Sequence, residues 1–172
     1  MKEYSQQSDK LPKGATWETV GDYFYYDAGG RLWLRKVRQV AVWSKKPVIN
    51  VNTGKQRKRF QEFWPGWESK PDHAPKLLYR LPETRKAIAD QKTIFIVEGE
   101  AKADALRAWG FQATCNEGGA GEWSMAHADE LRGADAIILP DNDQIGREHA
   151  DDIGRSLANI TRSSELKSNS SS

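Results

Sequence analysis

Cysteine is almost absent: Cys115 is the one thiol among 172 residues. A single thiol cannot form an internal disulfide or supply the ligands of a zinc ribbon, so neither scaffold is available. Cys115 itself reads as a small apolar strand residue. No apolar run reaches the roughly 18 residues of a membrane span, and no signal-peptide pattern opens the chain. No membrane partner is therefore expected, and a reducing cytoplasm is the expected location. His73, His127 and His149 lack metal-ligand spacing and are expected in surface or packing roles. Ser124 has no nucleophile elbow around it. Acids are missing from one long stretch: Arg31 to Phe60 holds ten Lys and Arg residues and no Asp or Glu.

That local gap contrasts with a nearly balanced total charge of +2. From Gln91 to Ile160 the acids outnumber the bases. A basic first half and an acidic second half point to a polyanion gripped by one and a cation held by the other.

The acids are placed in a pattern. Asp141-Asn142-Asp143 follows the apolar run Ala136-Ile137-Ile138-Leu139-Pro140. Carboxylates at i and i+2 at the end of a strand point the same way along the pleat. Two close anions repel, and a divalent cation removes the conflict; oxygen-only ligands favour Mg2+ or Mn2+. A second strand, Thr93–Val97, ends on Glu98-Gly99-Glu100. Two parallel strands that deliver acids to one edge make a metal site suited to phosphoryl transfer. The bland alternative for Asp143 is the N-cap of the helix that follows.

The rest of the chain divides into segments. Residues 1–15 are polar and expected to be loose, with a turn at Thr16–Val20. Tyr23–Tyr26, the turn Asp27–Gly30 and Arg31–Arg38 read as a β-hairpin with Leu32, Leu34 and Val37 inward and Arg31 and Arg35 outward. A further strand is expected at Gln39–Trp43, then a basic hairpin over Lys45–Arg59 turning at Asn52-Thr53-Gly54. Phe60, Phe63, Trp64 and Trp67 either stack on nucleotide bases or close a small core. Pro71–Pro75 reads as a linker, and Pro82 suits the first turn of a helix over Glu83–Asp90. From Thr93 the pattern is β-α-β-α-β-α: strands at Thr93–Val97, Phe111–Cys115 and Asp135–Leu139, and helices at Glu100–Trp109, Ser124–Leu131 and Ile145–Leu157. Buried strands alternating with amphipathic helices indicate a parallel sheet covered by helices. The loop Glu117–Gly121 lacks the Lys-Ser/Thr of a P-loop, though its backbone N–H groups are suited to approach a phosphate. Domain boundaries follow: a β-rich basic subdomain at 16–90, an α/β domain at 91–160 and a disordered tail at 161–172.

In this setting the chain resembles the TOPRIM domain of bacterial, phage and plasmid-type DNA primases, shared with type II and IA topoisomerases. The matching text is Ile96-Val97-Glu98-Gly99-Glu100 with Ala103–Leu106, then Asn116–Trp123, then Ile138–Arg147 with Ala150. The likeness covers Thr93 to Leu157; the basic segment and Leu78–Pro82 resemble the small N-terminal part of such primase cores with lower specificity. The resemblance implies that Glu98 acts in acid-base chemistry and helps bind metal. Asp141 and Asp143 match the Mg2+-binding pair, with Mn2+ as the alternative ion. Arg57, Lys58 and Arg59, with Arg80, Lys102 and Arg147, are then expected to hold nucleic acid or nucleotide through phosphate contacts. The implied partners are single-stranded DNA, ribonucleotides and a replicative helicase, and the implied activity is synthesis of short RNA primers.

Three departures from the family stand out. Lys102 occupies a position where many primases carry an acid. The template-reading zinc module is missing. The sheet lacks its usual last strand, which suggests a fragment or reduced relative of a longer primase or primase-helicase of phage or mobile-element type. A nuclease using the same carboxylates, and a catalytically inactive nucleic-acid-binding module, remain the alternatives. Topoisomerase activity is disfavoured, since the chain is small and offers no strong catalytic tyrosine.

Overall fold

Aromatic and β-branched residues crowd the start of the chain, and they form strands over a longer span than the hairpin arms expected from sequence. In the computed structural model, which describes residues 11–158 and 160, β1 runs over Thr16–Tyr26 and β2 over Leu32–Trp43. Thr16–Val20 is therefore strand rather than turn, and Gln39–Trp43 continues β2 without a break. The expected disordered tail at 161–172 and the first ten residues lie outside the described residues. Short strands β3 (Lys46–Pro47) and β4 (Lys58–Phe63) both pair with β2, in a four-stranded antiparallel-type sheet of order β1-β2-β3 with β4 also on β2.

The chain falls into two compact units. Among the described residues, the first takes those from 11 to Asp22 and Lys36–Glu62; the second takes Tyr23–Arg35 and those from Phe63 on. Both β1 and β2 pass through the two units.

Within the first unit, β2 and β3 are joined by a two-residue turn, with Val42 opposite Pro47 and Trp43 opposite Lys46. Ser44 and Lys45 carry φ of 47° and 63°. Positive φ at both central residues is the type I′ geometry that matches strand twist, usually supplied by Asn-Gly. The predicted turn at Asn52-Thr53-Gly54 is present too: the Gly54 N–H donates to the Asn50 carbonyl at 2.8 Å, and Gly54 has φ 64°.

In the second unit the hairpin turn is held by Asp27. Its carboxylate accepts hydrogen bonds from the N–H groups of Gly29 (2.9 Å) and Arg31 (3.0 Å) and from the Trp33 indole N–H (2.9 Å). These bonds, the indole first, hold the Asp27 carboxyl below its ordinary range. Strict alternation along β2 fails here, because Trp33 and Leu34 are both buried. The Trp33 ring stacks on Trp67 at 5.3 Å and 7°, so its face of the strand is covered as well.

The parallel sheet follows the expected pattern closely. After α1 (Leu81–Ala89) come β5 (Thr93–Val97), α2 (Glu100–Ala108), β6 (Gln112–Thr114), α3 (Met125–Asp129), β7 (Asp135–Leu139) and α4 (Gln144–Leu157). The strand order is β6-β5-β7, with both pairings parallel. The result is a mixed α/β architecture in which helices flank a three-stranded parallel sheet. Ile94, Ile96, Ala113, Leu131 and Ile153 fill its core. Leu78 bridges antiparallel to Asn116, the Tyr79 N–H donates to the Cys115 carbonyl at 2.7 Å, and Thr114 Oγ1 donates to the Tyr79 carbonyl at 2.7 Å. A segment read from sequence only as a lead into α1 is thus threaded through the core, and its bonds lie alongside β6.

The strained turn yields a test. Replacing Ser44-Lys45 with Asn-Gly relieves left-handed backbone at two side-chain-bearing residues, and stabilisation of about 1 kcal/mol is expected. Urea denaturation followed by tryptophan fluorescence measures it; an unchanged or lowered midpoint would contradict the I′ assignment.

Candidate functional site

Glu98 and Asp141 meet the same edge of the parallel sheet because of strand register. Val97 on β5 is paired with Leu139 on β7, so Glu98 and Pro140-Asp141 leave the sheet side by side at its C-terminal edge. This is the edge at which open α/β sheets collect ligands. The chain then turns sharply at both exits. Gly99 has φ 93° and ψ 151°, a conformation open essentially to glycine, and it opens α2.

Asp141 and α4 are fitted together at Gly146. A Cβ at 146 would lie 2.7 Å from the Asp141 carbonyl oxygen and 2.9 Å from its Cβ and its nitrogen. The glycine of the Asp-x-Asp-x-x-Gly string is therefore a close-approach glycine. Asp143 is the N-cap of α4: its Oδ1 accepts from the Gly146 N–H at 2.8 Å. The capping role weighed from sequence is present, and it fixes one oxygen of this carboxylate. The Asp141 carboxylate is ion-paired with the Lys102 ammonium. Lys102 lies on α2, four residues beyond Glu98, and its side chain is half exposed.

The other acids of this region are tied into the scaffold. Buried Glu100 accepts the Tyr25 hydroxyl at 2.7 Å. Burial first, and the Cys115 and Glu100 charges next, push the Tyr25 phenol far upward, so it stays a donor. One turn on, Asp104 accepts from the Tyr79 hydroxyl (3.1 Å) and from Arg80 (3.0 Å). Arg80, expected to contact phosphate, sits in left-handed backbone at φ 55° before α1 and clamps Asp104 and Glu83. Arg147 is exposed on the first turn of α4.

His149, expected from sequence in a surface or packing role, is the most unusual side chain near the carboxylates. It is 6% exposed, yet neither ring nitrogen has a hydrogen-bond partner among the described residues. It lines a cavity of about 10 Å3 with Glu98, Ile96, Ile138 and Gly146. That is about the room one water needs. Burial lowers the His149 pKa, against the raising effect of the Glu98 and Asp152 charges. A buried polar group without a partner calls for an explanation, and adjacency to Glu98 gives one candidate.

His127 is fully buried, so a packing role holds, but it also carries a hydrogen-bond network. Its Nε2 pairs with Glu117 Oε2 at 2.8 Å, and its Nδ1 accepts from the Ser124 N–H at 3.0 Å. Glu117 Oε2 also accepts from the Leu77 N–H at 3.0 Å. Burial would raise the Glu117 carboxyl; the His127 bond and charge and the backbone N–H groups outweigh it and hold the carboxyl below its ordinary range. The Gly-rich loop is thereby pinned at its start. Asn116 Nδ2 donates to the Gly119 carbonyl at 2.7 Å, and the Glu122 side chain packs directly over Gly118.

The first unit, taken by itself, carries the other predicted residues. Lys55, Arg57, Lys58 and Arg59 line an open cavity of about 820 Å3 together with Trp17 and Ile49. Arg59 lies over the Trp17 ring at 4.6 Å, and Lys36 and Lys58 lie 4.9 and 5.9 Å from the Phe60 centroid. Phe60 is exposed, so its ring is presented beside cations rather than packed in a core. Trp64, by contrast, is buried, and the aromatic segment thus splits between the two roles considered from sequence.

All-oxygen donors at one sheet edge suit a hard divalent cation, and Asp141 already holds a cationic group, the Lys102 ammonium. Among the described residues, however, no three His, Cys, Asp or Glu side chains converge closely enough to hold a metal. Glu98, Asp141 and Asp143 share an edge without forming a closed cage. No helix among the described residues is long and apolar enough to cross a membrane. Compared with protein-family models, curated proteins and solved structures, the chain matches none.

Two tests follow from this geometry. Gly146→Ala forces Asp141 away from α4 and is expected to cost about 2–3 kcal/mol in chemical denaturation, an overpacking penalty; no cost would mean that the approach is looser than described. For Glu117, a depressed folded pKa means stability that is present above the ordinary value of 4.5 and is lost as pH falls through the lower folded value. Glu117→Gln should lower stability at pH 7 and flatten that acid dependence. An unchanged acid slope in thermal melts would contradict the assignment.

Proposed function

We propose that this chain is a TOPRIM-type protein of the DNA primase kind, a nucleotidyltransferase that makes short RNA primers on single-stranded DNA with Mg2+ or Mn2+. The observation that carries the reading is the register of β5 and β7. It brings Glu98 and Asp141 to one sheet edge within a β-α-β-α-β-α order. That placement agrees with the Glu-Gly and Asp-x-Asp-x-x-Gly-Arg motifs on which the family resemblance rests.

Each residue has a chemical task in this reading. Asp141 and Glu98 would hold the ion, with the second oxygen of the N-cap Asp143 as a further donor. A bound Mg2+ supplies charge neutralisation for the triphosphate and for the attacking hydroxyl oxygen. Glu98, at the exit of β5, would accept the proton of that hydroxyl. Arg147 and Lys102 are cations suited to phosphate oxygens. In the first unit, Lys55, Arg57, Lys58 and Arg59 would contact the nucleic-acid backbone, and Trp17 and exposed Phe60 offer faces for base stacking. A replicative helicase is the partner such a primase would serve.

Two observations favour a second reading. Lys102 on Asp141 and the capping role of Asp143 leave the carboxylates partly engaged, as expected of a nucleic-acid-binding module without catalysis. A nuclease acting through the same carboxylates is the third.

Incorporation of labelled ribonucleotides on single-stranded DNA with Mg2+ or Mn2+ separates them. Primase activity predicts short products that fall about 100-fold or more in Asp141→Ala, the scale of a lost metal ligand. Shortened DNA without ribonucleotide incorporation would indicate the nuclease. Retention of DNA by a folded chain that makes and cuts nothing would indicate the binding module.

A further inference from the structure

Lys102 is the residue at which this chain departs from the resemblance, and the structure shows what it does instead. It extends from α2 across to the loop after β7 and pairs with Asp141. Its side chain is 50% exposed and that of Asp141 is 34% exposed. Asp143 cannot substitute as the ammonium's partner through Oδ1, which takes the Gly146 N–H. The backbone of Asp141 is packed closely against Gly146, which fixes where its side chain leaves the chain. The charge of Asp141 is thus offset from within the chain.

We propose that Lys102 is the resident counter-ion of Asp141, and that a divalent cation reaches this carboxylate only by displacing the lysine. The inference rests on the metal-site reading of Glu98 and Asp141. It changes what that site is: an edge at which the Asp141 charge is already offset by an ammonium of the same chain, and which binds metal weakly until the lysine moves. A half-exposed ammonium–carboxylate pair is weak enough to exchange. The long, flexible lysine stem lets the head leave without disturbing α2. A divalent ion that arrives while the ammonium stays in place meets a like charge a few ångströms away, and pays for it in affinity.

The test is calorimetric titration with Mn2+ alone, with no nucleotide or nucleic acid. Wild type is compared with Lys102→Met, which keeps the stem and removes the charge. Lys102→Gln serves as a second variant, and circular dichroism checks folding in each. Lys102→Met is expected to bind Mn2+ about 10-fold more tightly. Adding Asp141→Asn to Lys102→Met is expected to abolish the gain. Arg132→Gln breaks a different exposed pair, with Asp129 at 2.6 Å, and controls for net charge; it should leave affinity within about twofold. Equal or weaker Mn2+ binding by both Lys102 variants overturns the counter-ion role while leaving the metal site standing. Absence of Mn2+ binding in wild type and variants alike overturns both.

Discussion

The parallel pairing of β5 with β7 is the constraint on which the rest of the second unit depends. Five consecutive residue pairs, from Thr93–Asp135 to Val97–Leu139, set the register. A shift by one residue would turn every side chain of β7 to the other face. It would also part Glu98 from Asp141 along the sheet. The bond from Thr93 Oγ1 to Asp135 Oδ2, at 2.7 Å, closes the opposite end of the same pairing.

Glycines and caps convert this register into a site. Gly99 lets β5 turn at once into α2, and Gly146 lets α4 press on Asp141. Asp143 satisfies the Gly146 N–H that the start of α4 would otherwise leave open. The acids that do not reach the edge, Glu100, Asp104 and Glu117, are each bonded to a residue distant in sequence. They bind Tyr25, Tyr79 with Arg80, and His127 with Leu77 into the frame. Acidic surplus in this half of the chain therefore serves two ends: some carboxylates build the scaffold, and others stand at its edge.

Much of this was legible in the sequence. The bounds of β5 and β7 emerge as read, because unbroken runs of β-branched and apolar residues bounded by polar ones admit few alternatives. The alternation of strands and helices gave the parallel sheet, and the glycine-ended helices gave its connections. Local pattern could not reveal long-range pairing. Leu77–Tyr79 looked like a lead into α1, yet its bridge to Asn116 spans the chain. Ser44-Lys45 carries no turn signature, since its positive φ values follow from strand pairing on either side. His127 and His149 are silent in spacing terms; only packing shows one bonded and the other without a partner among the described residues. Lys102 is read from sequence as a departure from the family pattern, and only the fold shows that it pairs with Asp141.

Cation binding at the C-terminal edge of β5 and β7 is the proposal on which the proposed function stands. Paramagnetic broadening by Mn2+ in a two-dimensional amide spectrum checks it with no substrate present. Selective loss of the Glu98, Gly99, Asn142 and Asp143 amide signals is expected at low Mn2+ occupancy, with their retention in Asp141→Asn. Broadening centred on the exposed Asp129 or Asp152 carboxylates instead, with those four amides unaffected, would contradict it.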